Sequence, residues 1–182
     1  MSMSVPKMNA INKLKDEYQD ISKNPNGNIG VSVGLPYEDN IFEWECTLTG
    51  PKETSYEGGS FILNVKFPDN YPEKGPEVCF KTPIYHLNIN PRKTESEGLG
   101  HICISTLAWW KPEYNMKKVL LDIYALFFQA NPDSAYGLER GDEFRFKREL
   151  YEEKVKYFTQ KYANSKNNKT FSGSKWVFTF NN

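Results

Sequence analysis

Tyr85-His86-Leu87-Asn88-Ile89-Asn90, with Gly100-His101-Ile102-Cys103-Ile104-Ser105-Thr106-Leu107 a short way downstream, is the part of this chain whose chemistry decides its fold. Cys103 stands seventeen residues after His86, in an apolar run. A cysteine acts as a nucleophile where its thiol can ionise and where its surroundings steady a developing negative charge. Asn88 carries a side-chain amide, the kind of donor that an oxyanion needs when a thioester carbonyl is attacked. On these residues alone the plainer reading leads, since a cysteine in an apolar run is usually a small core hydrophobe. The flanking segments decide between the two.

Working outward, no helical or strand period runs from Pro83 to Pro112. A loop that long inside a compact domain is more often functional than idle. Upstream, Phe42, Trp44, Cys46 and Leu48 alternate with polar residues through Ile41–Leu48 and share one sheet face, which assigns Cys46 to the core. Ile29–Leu35, Ser60–Phe67 and Glu77–Lys81 read as three more strands, with Cys79 pointing away from Val78 and Phe80. Short turns between strands argue for an antiparallel meander. Three prolines make Phe67–Pro76 a stiff surface crossing between the third and fourth strands.

Helices flank this sheet. Met8, Ile11, Leu14, Tyr18 and Ile21 recur at helical steps, and the turn-forming Asn24-Pro25-Asn26-Gly27 stops them. Met116–Gln129 reads as an apolar helix with Val119, Leu120, Ile123, Leu126 and Phe127 as its buried stripe, ended at Asn131-Pro132-Asp133-Ser134. A charged stretch from about Asp142 to Ala163 supplies one or two last helices, with Leu150, Val155, Phe158 and Tyr162 inward. The class is α+β, with helices segregated from an antiparallel sheet. Residues 1–164 are expected to form the core domain. Residues 165–182 form a polar linker and an aromatic tail, in which Trp176, Phe178 and Phe180 alternate; this tail either folds back on the domain or offers a strand to a partner.

The chain has 182 residues, and its 23 Lys and Arg balance its 23 Asp and Glu. That balance gives no electrostatic case for nucleic acid or an anionic membrane as partner. No apolar stretch is long enough to span a bilayer and no secretory signal opens the chain, so a cytoplasmic or nuclear location is expected. Its three cysteines fit a reducing compartment better than a disulfide framework.

Layout and motifs together resemble the ubiquitin-conjugating enzymes. The resemblance covers about residues 5 to 164 and rests on four features in order: the crossing Phe67–Pro76, the segment around His86 and Asn88, the Cys103 segment, and Trp110-Lys111-Pro112 followed by Val119-Leu120-Leu121 and Asn131-Pro132-Asp133. It implies that Cys103 accepts ubiquitin or a ubiquitin-like modifier from an activating enzyme as a thioester and passes it to a substrate lysine. ATP serves that upstream enzyme, and neither a cofactor nor a metal is expected here. Asn88 would steady the oxyanion or hold the loop that does so, and His86 would organise the loop rather than act as a base. Ser134, in a place often filled by an acid, and Asp133 beside it would line the gate for the incoming lysine. Glu73, Lys111, Pro112 and Glu113 would face a RING or HECT ligase, where carboxylates are poorly suited to an apolar interface.

Three departures from the family pattern stand out. Leu87 replaces a proline, which predicts a less rigid loop. Ser105 stands where an aspartate is common, and a charged insert around Arg92–Gly98 lengthens the approach to Cys103. Two other readings remain open at this stage. One is a non-catalytic scaffold of the same fold. The other is a metal site of His86, His101 and Cys103, which lacks a fourth ligand.

Overall fold

The computed structural model describes residues 4–23, 30–91 and 99–164. The expected turn over residues 24–27, the insert over 92–98 and the tail over 165–182 lie outside them. Helix α1 (Val5–Lys23) leads into strands β1 (Val31–Gly34), β2 (Glu43–Thr49), β3 (Ser60–Lys66) and β4 (Glu77–Phe80). Helices α2 (Ser105–Ala108), α3 (Met116–Ala125), α4 (Leu138–Phe146) and α5 (Arg148–Tyr162) follow, with a 3-10 turn at Pro132–Ser134. Among the described residues the strands form one antiparallel sheet in sequential order, as the alternating pattern predicts.

Register explains which side chains make the core. Trp44 faces Val65, Cys46 faces Leu63 and Leu48 faces Phe61 across the β2–β3 pair, and all six are buried. Because side chains alternate along a strand, this one register places the whole apolar set on one face. Helix α1 buries Ala10, Leu14 and Ile21. Its Tyr18 meets Trp44 edge-on at 5.4 Å, but Met8, expected on the inner face, is 48% exposed at the open end of the helix. Glu17 ties three elements together: its carboxylate accepts from the Tyr71 hydroxyl at 3.0 Å and from the Met116 amide at 2.7 Å. The proline crossing and the start of α3 are thereby fixed to α1.

Downstream, three boundaries differ from the periodic reading. The stretch before Pro112 is not wholly irregular, since residues 105–108 make one helical turn directly after the cysteine segment. Helix α3 stops at Ala125, because the amides of Leu126, Phe127 and Phe128 tighten onto carbonyls three residues back. That tightening leaves the Leu126 carbonyl for another partner. The last helical region starts at Leu138 and breaks at Lys147. In α5 the buried residues are Tyr151, Val155, Phe158 and Thr159, while Leu150 is 40% exposed. The inward stripe is therefore one position out of step with the expected one at its start. No described helix is long and apolar enough to cross a membrane.

Candidate active site

Residues 82–90 carry no regular structure, yet every one of them is buried. Irregular backbone away from water must find a partner for each polar group or lose roughly 1–3 kcal/mol per orphan. The partners it finds build the site.

His86 opens the segment. The Asn88 amide can only donate and the Leu126 carbonyl can only accept, so the ring is fixed as a neutral tautomer. Nδ1 accepts from Asn88 N–H at 3.0 Å and Nε2 donates to Leu126 O at 3.0 Å. Burial lowers the imidazole pKa to about 4. The ring is a brace between the loop and the end of α3, and it has no nitrogen left for a metal. Among the described residues no cluster of His, Cys, Asp and Glu is arranged to hold one.

This buried ring has a pH signature. An unfolded chain takes up a proton near the ordinary histidine value of 6.5, whereas the folded ring resists protonation until about 4. Stability from His86 is therefore complete above pH 6.5 and is lost as pH falls towards 4. It amounts to about 3 kcal/mol over that window. Thermal melts from pH 7 to pH 4 should show the decline, and His86→Gln should flatten it; an unchanged slope would mean the ring is not buried in its neutral form.

Behind the loop, Arg140 of α4 donates through Nη1 to His86 O at 3.0 Å and to Ile89 O at 3.2 Å. Its guanidinium lies over the Tyr85 ring, 4.5 Å from the centroid. The Tyr85 hydroxyl donates to Glu143 at 2.6 Å, and Lys154 pairs with the other oxygen of that carboxylate. Tyr56 donates to Tyr85 O, and Tyr151 accepts from Leu87 N–H at 3.1 Å. Leu87, which stands in place of a proline, is fully buried and its amide is held by α5.

Asn88 faces the other way, towards the turn after α3. Its Oδ1 accepts from Asn131 N–H at 2.8 Å, and Nδ2 donates to Asn131 O at 2.7 Å and Ser134 O at 2.9 Å. The side chain is 0% exposed. Both N–H donors of the amide are committed to that turn, so in this geometry the side chain holds the loop. Donation to an oxyanion would first require release of one backbone carbonyl.

Cys103 is reached through the Asn88 backbone, whose carbonyl accepts from Cys103 N–H at 3.0 Å. Ile89 and Ile102 form an antiparallel bridge, and Asn90 exchanges hydrogen bonds with His101 and Gly100. Gly100 is required here: its φ is +76°, and a Cβ would sit 2.2 Å from Phe80 O. Ile102 and Ile104 point inward, leaving His101 and Cys103 on the partly exposed side. His101 Nδ1 lies 2.8 Å from the hydroxyl of Tyr136, joining the cysteine segment to the turn that Asn88 holds. Burial pushes the Cys46 thiol up to about 12 and the Cys79 thiol up to about 11, so neither ionises near neutrality.

The other expected site residues fall into two groups. Asp133 and Ser134 share the 3-10 turn beside Asn88; the Asp133 carboxylate is exposed and engaged by Arg145 at 2.6 Å, and Ser134 is half-buried. Glu73, Lys111, Pro112 and Glu113 are all exposed. Their two loops are tied by Trp110, whose indole N–H donates to Pro72 O at 2.6 Å and whose ring leaves no room for a side chain at Gly75. Composition and spacing did not single out Arg140, Tyr136, Tyr151 or Tyr56. The one clue was the charge of Arg140 and Glu143 on the inner turns of a helix, which demands buried partners.

Two comparisons with known proteins bear on this arrangement. The model of the ubiquitin-conjugating enzyme family matches residues 13–159. The fold is also similar to a crystal structure of a candidate ubiquitin-conjugating enzyme from Plasmodium yoelii. That match has a TM-score of 0.75 at 27% identity and covers 91% of this chain and 99% of the other.

Proposed function

Because this chain belongs to the ubiquitin-conjugating enzyme family, we propose that Cys103 carries ubiquitin or a related modifier as a thioester and delivers it to a substrate lysine. The observation that carries this reading is the contrast among the three thiols. Cys46 is enclosed in the core and Cys79 sits within β4, paired with Asn64 on one side and bridged to His101 on the other, whereas Cys103 is partly exposed on an irregular segment pinned to Asn88 O.

In the first step the Cys103 thiolate attacks the carbonyl of a modifier already joined to the activating enzyme through a thioester. The new C–S bond forms, the old one breaks, and the activating enzyme's thiolate leaves. In the second step a lysine amine attacks the Cys103 thioester and loses its proton, and the Cys103 thiolate departs as the isopeptide bond forms. Sulfur suits both steps because its thiolate is a good nucleophile and a good leaving group. Their hydrogen bonds support a positioning role for Asn88 and His86. Ser134 and Asp133 stand on the turn past which the amine enters, and Asn88 holds that turn in place.

The test is a charging assay with ATP, several activating enzymes and their modifiers. A reductant-labile adduct supports the reading and identifies the modifier. No adduct with any pair favours a non-catalytic scaffold.

The ligase-facing loops carry a second expectation. Glu73 and Glu113 are exposed on loops that Trp110 holds side by side. Burying such carboxylates against an apolar groove costs several kcal/mol unless cations meet them. Ordinary RING domains should bind weakly, and Glu73→Phe with Glu113→Ala should tighten binding by about tenfold or more. Titration against a RING panel checks this; tight binding by the wild type with no gain in the double variant would count against it.

A further inference from the structure

Ile89 N–H closes onto His86 O at 3.2 Å, making a β-turn with Leu87 and Asn88 at its corners. The first corner of such a turn is where proline is favoured, because its φ suits the ring and its N–H has no partner within the turn. Leu87 brings an N–H to that corner, fully buried. The Tyr151 hydroxyl, reaching in from α5, is its acceptor at 3.1 Å.

Tyr151 is itself fixed. It is buried, and its ring meets Phe144 edge-on at 5.2 Å and Tyr85 at 5.5 Å. The Tyr56 hydroxyl donates to Tyr85 O, so a second tyrosine holds the same loop two residues earlier. On the opposite side Leu87 O accepts from Tyr136 N–H at 2.7 Å. One residue is thus clamped between α5 and the turn past which the acceptor enters. The next residue, Asn88, holds the Cys103 amide through its backbone and that same turn through its side chain.

We propose that the Tyr151 hydroxyl is a positioning residue for the transfer step: its bond to the Leu87 amide fixes the corner from which Cys103 and the acceptor turn are both hung. The kinetic part of this inference rests on Cys103 as the acceptor. Its structural part does not.

Tyr151→Phe keeps the packing but strands a buried donor. The Cys103 thioester should still form, while its discharge to free lysine should slow on the order of tenfold and exchange of the Leu87 amide should quicken by a similar factor. Leu87→Pro removes that donor at a corner that accepts proline. Adding Tyr151→Phe to it should then change discharge by less than about twofold. An equal slowing with and without Leu87→Pro would overturn the proposal. If Leu87→Pro does not fold, unchanged Leu87 amide protection in Tyr151→Phe would overturn it instead. If the wild type does not charge, the function is misassigned and the kinetic part falls with it, while the exchange measurement still decides whether Tyr151 fixes the Leu87 corner.

Discussion

The Cys103→Ser protein should replace a reductant-labile adduct with a slower-forming one that survives thiol treatment and is cleaved by base. Serine keeps the position and removes only the sulfur, so the ester it forms is an oxyester with a poorer leaving group. Cys103→Ala should give no adduct. Cys46→Ala and Cys79→Ala should both charge at rates near wild type, because burial keeps these thiols protonated and no modifier tail reaches the fully enclosed Cys46. Cys46→Ala should cost about 1 kcal/mol of stability through the small void it leaves. Non-reducing and reducing gels of the four variants decide the matter, and a labile adduct on Cys103→Ala would move the chemistry to another thiol.

The sheet was legible from the sequence because its signal is local. Trp44, Cys46 and Leu48 alternate with polar residues, so period alone fixes their face, and the observed register follows from it. Helix α1 was legible for the same reason. What period could not reach was the buried loop. Between Thr82 and Asn90 each residue is inward whatever its parity, and the side chains and carbonyls that set the loop's shape include several from 40 to 64 positions away: Leu126 for His86, Asn131 for Asn88, Arg140 for His86 and Ile89, Tyr151 for Leu87. No spacing rule links such pairs, since they meet only after α3, α4 and α5 have docked.

The same distinction explains the errors at the helix ends. Leu126 and Phe127 continue the apolar stripe of α3, so periodicity extends the helix past Ala125. The actual end is set by the need to turn the Leu126 carbonyl towards His86, a tertiary demand that leaves no mark on the local pattern. Leu150 is a similar case. It is apolar, but Tyr151 takes the inward position because its ring fits between Tyr85 and Phe144 while its hydroxyl reaches Leu87. A residue with both an apolar body and a polar tip is favoured there over a purely apolar one.

Asn88→Ala should lower stability as well as transfer. The amide makes three hydrogen bonds to the backbone of the 131–134 turn, at 2.7 to 2.9 Å, from a fully buried position. Truncation removes all three and leaves a void at the fully buried Asn88, a loss on the order of 3 kcal/mol. For a chain of this length that is a fall in melting temperature of roughly 10 °C. Asn88→Asp separates the two roles further. At neutral pH it sets a carboxylate oxygen against two carbonyl oxygens and should cost at least as much. Burial raises such a carboxyl's pKa, and the protonated form can again donate to one carbonyl, so part of the loss should return as pH falls. Charging should persist below the lowered melting temperature, and discharge to lysine should fall together with the order of the turn. An unchanged melting temperature with discharge reduced about a hundredfold, the scale of one oxyanion donor, would return Asn88 to direct stabilisation of the tetrahedral intermediate.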